Sequence, residues 1–432
     1  MRARATLTVL ALVALLGATA TAPAQSQGQP DFTLYMALGD SLTAGYSSGS
    51  LVVTHQRNSV PALIARQAGV PSFDQPLISE PGLPAELTLV SLVPTPVISP
   101  KSATPGGPTN PGLARPYNNL GVPGASSADA LTRTRDDPGS VIRFHDIVLR
   151  GRGTQVAQIV GSRPTFVTLW IGNADVLGAA VRGRAIDGVT LTPAPVFREA
   201  YGQIVGALKA TGARIVAANL PDVTSIPFVR TIPPFVVDPA TGEPVRVGGQ
   251  TIPLIGPNGP LPSTAFVTLA ASPLLAQGHG IPAPFGRGTP LPDEVILDPA
   301  EVAIIQERVS ANNRAIDEIC RAAGMPVLDI HGLLRELSTT GRTIGGVTLT
   351  SAFLIGGVFS YDGVHPSDLG YALAANEWIR VINENGGRLP PVDLGPFMGL
   401  SFRGPARGAP LVEFTEEAYQ ALLAAFPRLD GR

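Results

Sequence analysis

Ser41, Asp362 and His365 are the residue types that, brought together, perform nucleophilic acyl transfer. A serine hydroxyl is a weak nucleophile until a base takes its proton, and the base needs a third group to fix its tautomer. Ser41 lies in the turn Gly39-Asp40-Ser41-Leu42, and the other two lie in Asp362-Gly363-Val364-His365-Pro366. The three-residue spacing from Asp362 to His365 suits a turn that folds a carboxylate back onto an imidazole. Gly-Asp-Ser alone and Asp-x-x-His alone are each common. Together, one closing the first strand and one opening the last helix, they are far more specific. The remaining histidines, His55, His145, His279 and His331, have no such context and read as structural or surface residues.

The elements that must hold these residues alternate. Apolar runs at Thr33–Leu38, Thr165–Ile171, Arg214–Ala218 and Pro326–Ile330 read as buried strands, with a weaker one near Arg115–Leu120. Continuous apolar runs are what strands need when helices cover both faces. The clearest helix runs from Pro299 to about Ala323, with Asp298 as N-cap, Glu301 completing a capping box and Gly324 ending it. Cys320 falls on its apolar side and reads as an inert buried thiol. A second helix is expected to begin at Pro366, which would set His365 at a helix N-terminus, where the dipole favours the neutral base. The βα alternation implies a parallel, doubly wound sheet. In such sheets, ligands bind at the carboxyl ends of the strands, where Ser41 would sit.

The chain has 432 residues, 44% hydrophobic and 15% charged, with a net charge of −2. It carries no basic face for nucleic acid and too much apolar content for disorder. The first 24 residues read as a signal peptide: Arg2 and Arg4, an apolar core from Leu7 to Leu16, and the cleavage site Ala22-Pro23-Ala24. Export to a periplasm or beyond is expected, without a lipidation cysteine near the cut. The lone Cys320 permits no intrachain disulfide. No metal-ligand spacing, phosphate loop or Gly-x-Ser-x-Gly elbow occurs.

Two stretches exceed ordinary α/β connections: 72–116 and 225–298, both rich in proline, the second also in glycine. Their apolar residues suggest a cap over an acyl pocket, or excursions packed on the core. After residue 386, a C-terminal extension (387–432) contains an amphipathic helix from Glu413 to Phe426, expected to pack on the domain.

With these residues in view, the chain resembles the GDSL, or SGNH, hydrolases from Thr33 to about Asn385, giving a hydrolase domain over about 31–386. Gly39-Asp40-Ser41-Leu42 is similar to the family's first block. Asn118-Asn119-Leu120-Gly121-Val122-Pro123-Gly124-Ala125 is similar to the second, and Asp362-Gly363-Val364-His365-Pro366 to the last. The resemblance implies a three-layer, flavodoxin-like α/β/α sandwich with a five-stranded parallel sheet. It further implies Ser41 as nucleophile, Asp362 and His365 as its partners, and Ser41 and Gly121 amides in the oxyanion hole. The third block departs from the family's Gly-x-Asn-Asp. Here it reads Gly172-Asn173-Ala174-Asp175, so Ala174 stands where the donor asparagine belongs. Either a small shift lets Asn173 donate, or the two amides act alone. The expected activity is an exported carboxylic ester hydrolase, without cofactor or metal, on a small-molecule or lipid ester, with transient lipid-surface contact. A polysaccharide O-acyl esterase and a non-catalytic binding scaffold are the alternatives.

Overall fold

The computed structural model describes residues 28–91, 96–239, 241–283, 285–398 and 412–426. The signal-peptide segment lies outside them.

The strands used below are β1 (Tyr35–Gly39), β2 (Leu87–Ser91), β3 (Val97–Pro100), β4 (Asn119–Gly121), β5 (Phe166–Trp170), β6 (Arg214–Ala218), β7 (Val327–Leu328) and β8 (Glu413–Phe414). The helices are α1 (Ser41–Ala44), α2 (Val60–Gln67), α3 (Ser127–Thr132), α4 (Gln155–Ser162), α5 (Ala174–Arg182), α6 (Ala194–Lys209), α7 (Pro299–Ala322), α8 (Ile330–Thr339), α9 (Asp368–Glu384) and α10 (Glu416–Leu423). Five strands form one parallel sheet in the order β7-β6-β5-β1-β4.

Successive strand residues point to opposite faces, so a strand covered on both sides must be apolar at every position. On one face, Met36, Leu38, Val167, Leu169, Ile215 and Ala217 pack into a core shared with α3–α7. On the other, Tyr35, Phe166, Trp170, Val216 and Ala218 meet α2, α8 and α9. The result is the three-layer α/β/α sandwich. The β1/β5 boundary, where the order of strands reverses, is the crevice in which Ser41 stands.

Local signals set the ends of elements. Asp298 and Glu301 form the reciprocal capping box of α7, and Cys320 is buried on its inner face. Two boundaries differ from the sequence reading. The last strand stops at Leu328, because the Asp329 side chain accepts from Gly332 N and starts α8 at Ile330. The final helix starts at Asp368 rather than Pro366. Ser367 is its N-cap, bonded to Gly370 N, while Ser360 N donates to His365 O and keeps the preceding residues in a bridge. His365 therefore belongs to a turn, and no helix begins directly after it.

Among the described residues, both long insertions carry regular structure. In 72–116, β2 and β3 form an antiparallel hairpin, which β8 joins in parallel. The 225–298 stretch carries short hairpins around an apolar pocket of about 270 Å³, lined by Ile232, Phe235, Val237, Leu254, Leu275 and Ile281 among others. The C-terminal segment packs on the domain: Val412, Phe414, Ala418, Leu422 and Phe426 join the first core.

Candidate active site

Ser41 is the first residue of α1, directly after β1. Asp40 caps this helix by accepting from Leu42 N at 3.1 Å. The Ser41 N–H has no acceptor among the described residues, as befits the first amide of a helix. Ser41 Oγ lies 3.0 Å from His365 Nε2, and His365 Nδ1 lies 2.8 Å from Asp362 Oδ2. Serine and histidine, 324 positions apart, thus meet at hydrogen-bond distance in a buried site.

The Asp362 carboxylate is heavily solvated by the protein itself. Val364 N and His365 N donate to Oδ1 at 2.8 Å each, Ser360 Oγ donates to the same atom at 3.1 Å, and Gly49 N donates to Oδ2 at 2.8 Å. Burial alone would push this carboxyl up. The charge and hydrogen bond of His365, with these amide donors, outweigh burial and hold it below the usual carboxylate range. An ionised Asp362 can only accept, so Nδ1 carries the imidazole proton and Nε2 is left as the base toward Ser41.

The turn that permits this requires Gly363. Its φ is +69°, and an added Cβ would lie 2.9 Å from Leu269 Cδ1 and 3.1 Å from Phe228 N. The turn is clamped by Gly363 N donating to Ser360 O, Phe228 N donating to Gly363 O, and Ser48 N donating to Ser360 Oγ. Tyr46 packs against the imidazole with ring centroids 4.8 Å apart.

Two other expected residues need closer description. Asn173 donates through Nδ2 at 2.9 Å and through its backbone N at 3.1 Å to Asp40 Oδ2. Its side chain therefore points at the residue before the serine. One N–H of the amide is engaged, while Oδ1 is buried without a partner. Ala174 follows as the first residue of α5. Gly121 is a correction. Its N–H is taken by Asn119 Oδ1 at 2.9 Å, so it is not available as a donor. Glycine is needed there for space, since a Cβ would lie 2.4 Å from Ala44 N of the serine helix. The free amide on this loop belongs to Gly124, at φ +77°, with no acceptor among the described residues. The loop runs beside the serine turn, because Val122 N donates to Gly39 O at 3.1 Å. Its signal in the sequence was the second glycine of Gly121-Val122-Pro123-Gly124.

Asp40 and Asp175 went unassigned from the sequence. Burial pushes Asp40 up to about 6, against the lowering hydrogen bonds of Asn173 and Leu42. Asp175 is likewise raised to about 6 by burial, and it accepts from Ser127 N and Oγ at 2.8 and 2.9 Å, tying α5 to α3. His55, His145, His279 and His331 lie outside the hydrogen-bonded set. His145 pairs with Asp136 at 2.9 Å and His55 bridges Glu86 and Asp368.

No curated relative matches the sequence. Among solved structures, similar chains include a lipolytic-type G-D-S-L family protein from Desulfitobacterium hafniense DCB-2, at 13% identity over 81% of this chain and 99% of that one, with a TM-score of 0.35. The acetyl xylan esterase AlAXEase has 12% identity over 80% and 96% of the two chains and a TM-score of 0.31. The lipase/acylhydrolase from Enterococcus faecalis has 15% identity over 55% and 68%, and a TM-score of 0.24. The family model for GDSL-like lipase/acylhydrolases matches residues 35–378, from the strand before Ser41 to beyond His365. The chain belongs to that family of carboxylic ester hydrolases.

Proposed function

We propose that this protein is an exported serine esterase acting on apolar carboxylic esters of short to medium acyl length. The observation that carries the reading is the hydrogen-bond chain Ser41–His365–Asp362 at 3.0 and 2.8 Å. Ser41 Oγ attacks the ester carbonyl carbon as His365 Nε2 takes its proton. Asp362 stabilises the imidazolium that results. In this reading the Ser41 and Gly124 N–H groups and the second N–H of Asn173 Nδ2 serve as the oxyanion donors. Collapse expels the alcohol, which leaves with the proton from His365. Water, deprotonated by the same nitrogen, then attacks the acyl-serine, releasing the acid and restoring Ser41.

The acyl assignment draws on an apolar groove of about 80 Å³ lined by Leu42, Trp170, Ile226, Leu333, Val364 and Pro366 among others, chain neighbours of the triad rather than the triad itself. Leu42 adjoins Ser41 in the chain, and Val364 and Pro366 flank His365. A cavity of roughly 150 Å³ takes the six carbons of benzene, so this groove suits about three or four. Export rests on the Arg2, Arg4, Leu7–Leu16 and Ala22-Pro23-Ala24 pattern.

Hydrolysis of p-nitrophenyl esters from acetate to palmitate tests this. Turnover should peak near butyrate, and Ser41→Ala should lose about 10⁴-fold or more. Equal turnover by Ser41→Ala overturns the serine mechanism. A peak at palmitate overturns the acyl assignment. Folded wild type inert on every ester favours a polysaccharide ester or a binding scaffold.

A further inference from the structure

Residues 412–426 follow the stretch that the family model matches, yet one of them, Phe426, packs its ring against His365. The Phe426 ring lies nearly parallel to the His365 imidazole, 12° between planes and 5.7 Å between centroids. Ser41 is 2% exposed and His365 fully buried. An ester carbonyl must come within about 3–3.5 Å of Ser41 Oγ to react. Something above the serine has to give way.

The segment has a strand-paired root and a tip packed into the core, with Ala418 and Leu422 fully buried and Phe426 3% exposed. At the root, β8 pairs with β3, Glu413 N donates to Pro96 O at 2.7 Å, and Thr415 N donates to Ile98 O at 3.2 Å. Phe414 N also reaches Ser272 Oγ at 3.2 Å, so both long insertions hold the strand. From there, α10 presents Ala418 and Leu422 inward and Glu416, Glu417 and Gln420 to solvent. Among the described residues, its polar ties to the domain run from side chain to carbonyl: Arg182 Nη2 to Phe426 O at 2.6 Å and Tyr419 OH to Val181 O at 3.2 Å. Tyr419 also stacks on Phe228, whose amide holds the Gly363 turn. The contacts of the tip therefore fall on the C-terminal end of α5 and on Phe228, whose amide holds the catalytic turn.

We propose that Thr415–Phe426 is a gate that selects esters by size, with Phe426 as the residue that sets the limit. The proposal rests on Ser41 being the nucleophile. Small esters pass with a slight displacement of the Phe426 ring. Bulky ones require the tip to release Arg182 and Val181 while β8 stays paired.

The test is the rate at which Ser41 is labelled by two fluorophosphonates, one with small alkyl groups and one with a bulky tag, in the full-length protein. Wild type should favour the small probe. Phe426→Ala should raise the bulky-probe rate about 10–100-fold, the scale of size discrimination in an apolar site, and change the small-probe rate far less. Tyr419→Phe, which removes one tie and no packing, should shift the ratio in the same direction, and it keeps the test alive if Phe426→Ala fails to fold. Equal slowing of both probes in Phe426→Ala would mean that the ring positions His365 and selects nothing, which overturns the gate. An unchanged ratio in both variants overturns it too. Ser41 unlabelled by either probe in every protein removes the nucleophile reading, and the gate with it. That result is distinguishable from labelling that ignores size.

Discussion

Asp40 can govern the proposed chemistry through its hydrogen bonds alone. Its carboxylate aims the Asn173 amide and caps the serine helix at once. The carboxyl is held at about 6, mainly by burial, so it is ionised only above that pH. Protonation would weaken its hold on both N–H groups of Asn173. Asp40→Asn should therefore cut kcat about 10–100-fold and remove an acid limb near pH 6, read from a kcat–pH profile. Asn173→Ala should cost roughly 10²–10³ in kcat if its second N–H serves the oxyanion. An unchanged rate would leave the hole to the Ser41 and Gly124 amides. This site also marks where sequence reasoning stops. Ser41, Asp362 and His365 were legible because each carries its signal in its own few residues. The misassigned Gly121 was not, because whether an amide is free depends on what a neighbouring side chain does. Here Asn119 Oδ1 occupies it.

At the scale of elements, the catalytic turn is as consequential as the strands. Gly363 adopts a left-handed backbone, and its absent side chain leaves room for Phe228 and Leu269. Gly363→Ala should destabilise the protein by about 1–3 kcal/mol, measured by denaturant midpoint. It should lower kcat beyond what stability explains, because the shifted turn carries Asp362. The alternating apolar runs announced the sheet, and Asp298 with Glu301 announced α7. The start of α9 was misjudged because proline in a first turn is favourable, but the Ser360–His365 bridge and the Ser367 cap decide the matter two residues later. The insertions were illegible in detail for a different reason. The sheet in 72–116 is completed by β8 pairing with β3, a contact between segments that are distant in the chain.

For the molecule as a whole, His55 is a rivet between distant parts. It lies 2.9 Å from Glu86 in β2's approach and 2.7 Å from Asp368 at the start of α9, while Lys101 holds the other oxygen of Glu86 at 2.5 Å. Burial disfavours the imidazolium, but the two carboxylates outweigh it and raise the histidine from 6.5 to about 9. Since folding tightens proton binding, the stabilisation is complete below pH 6.5 and is lost as pH rises through about 9. Thermal melts should show Tm falling between pH 7 and 10 by an amount equivalent to on the order of 2 kcal/mol. His55→Gln should be less stable at pH 6 and show a flatter alkaline profile. A wild-type melt that is level across this range would rule out the linkage.

Ser41 and His365, the proposed nucleophile and base, stand 324 positions apart, one in the first helix and the other just before α9. An N-terminal fragment emerging during synthesis, however well its first strands pair, contains Ser41 without His365. Hydrolytic competence is therefore postponed until nearly the entire polypeptide has been delivered, and a nascent chain cannot attack esters met on the way. The same separation makes recovered esterase activity a clock for the last long-range docking step in refolding.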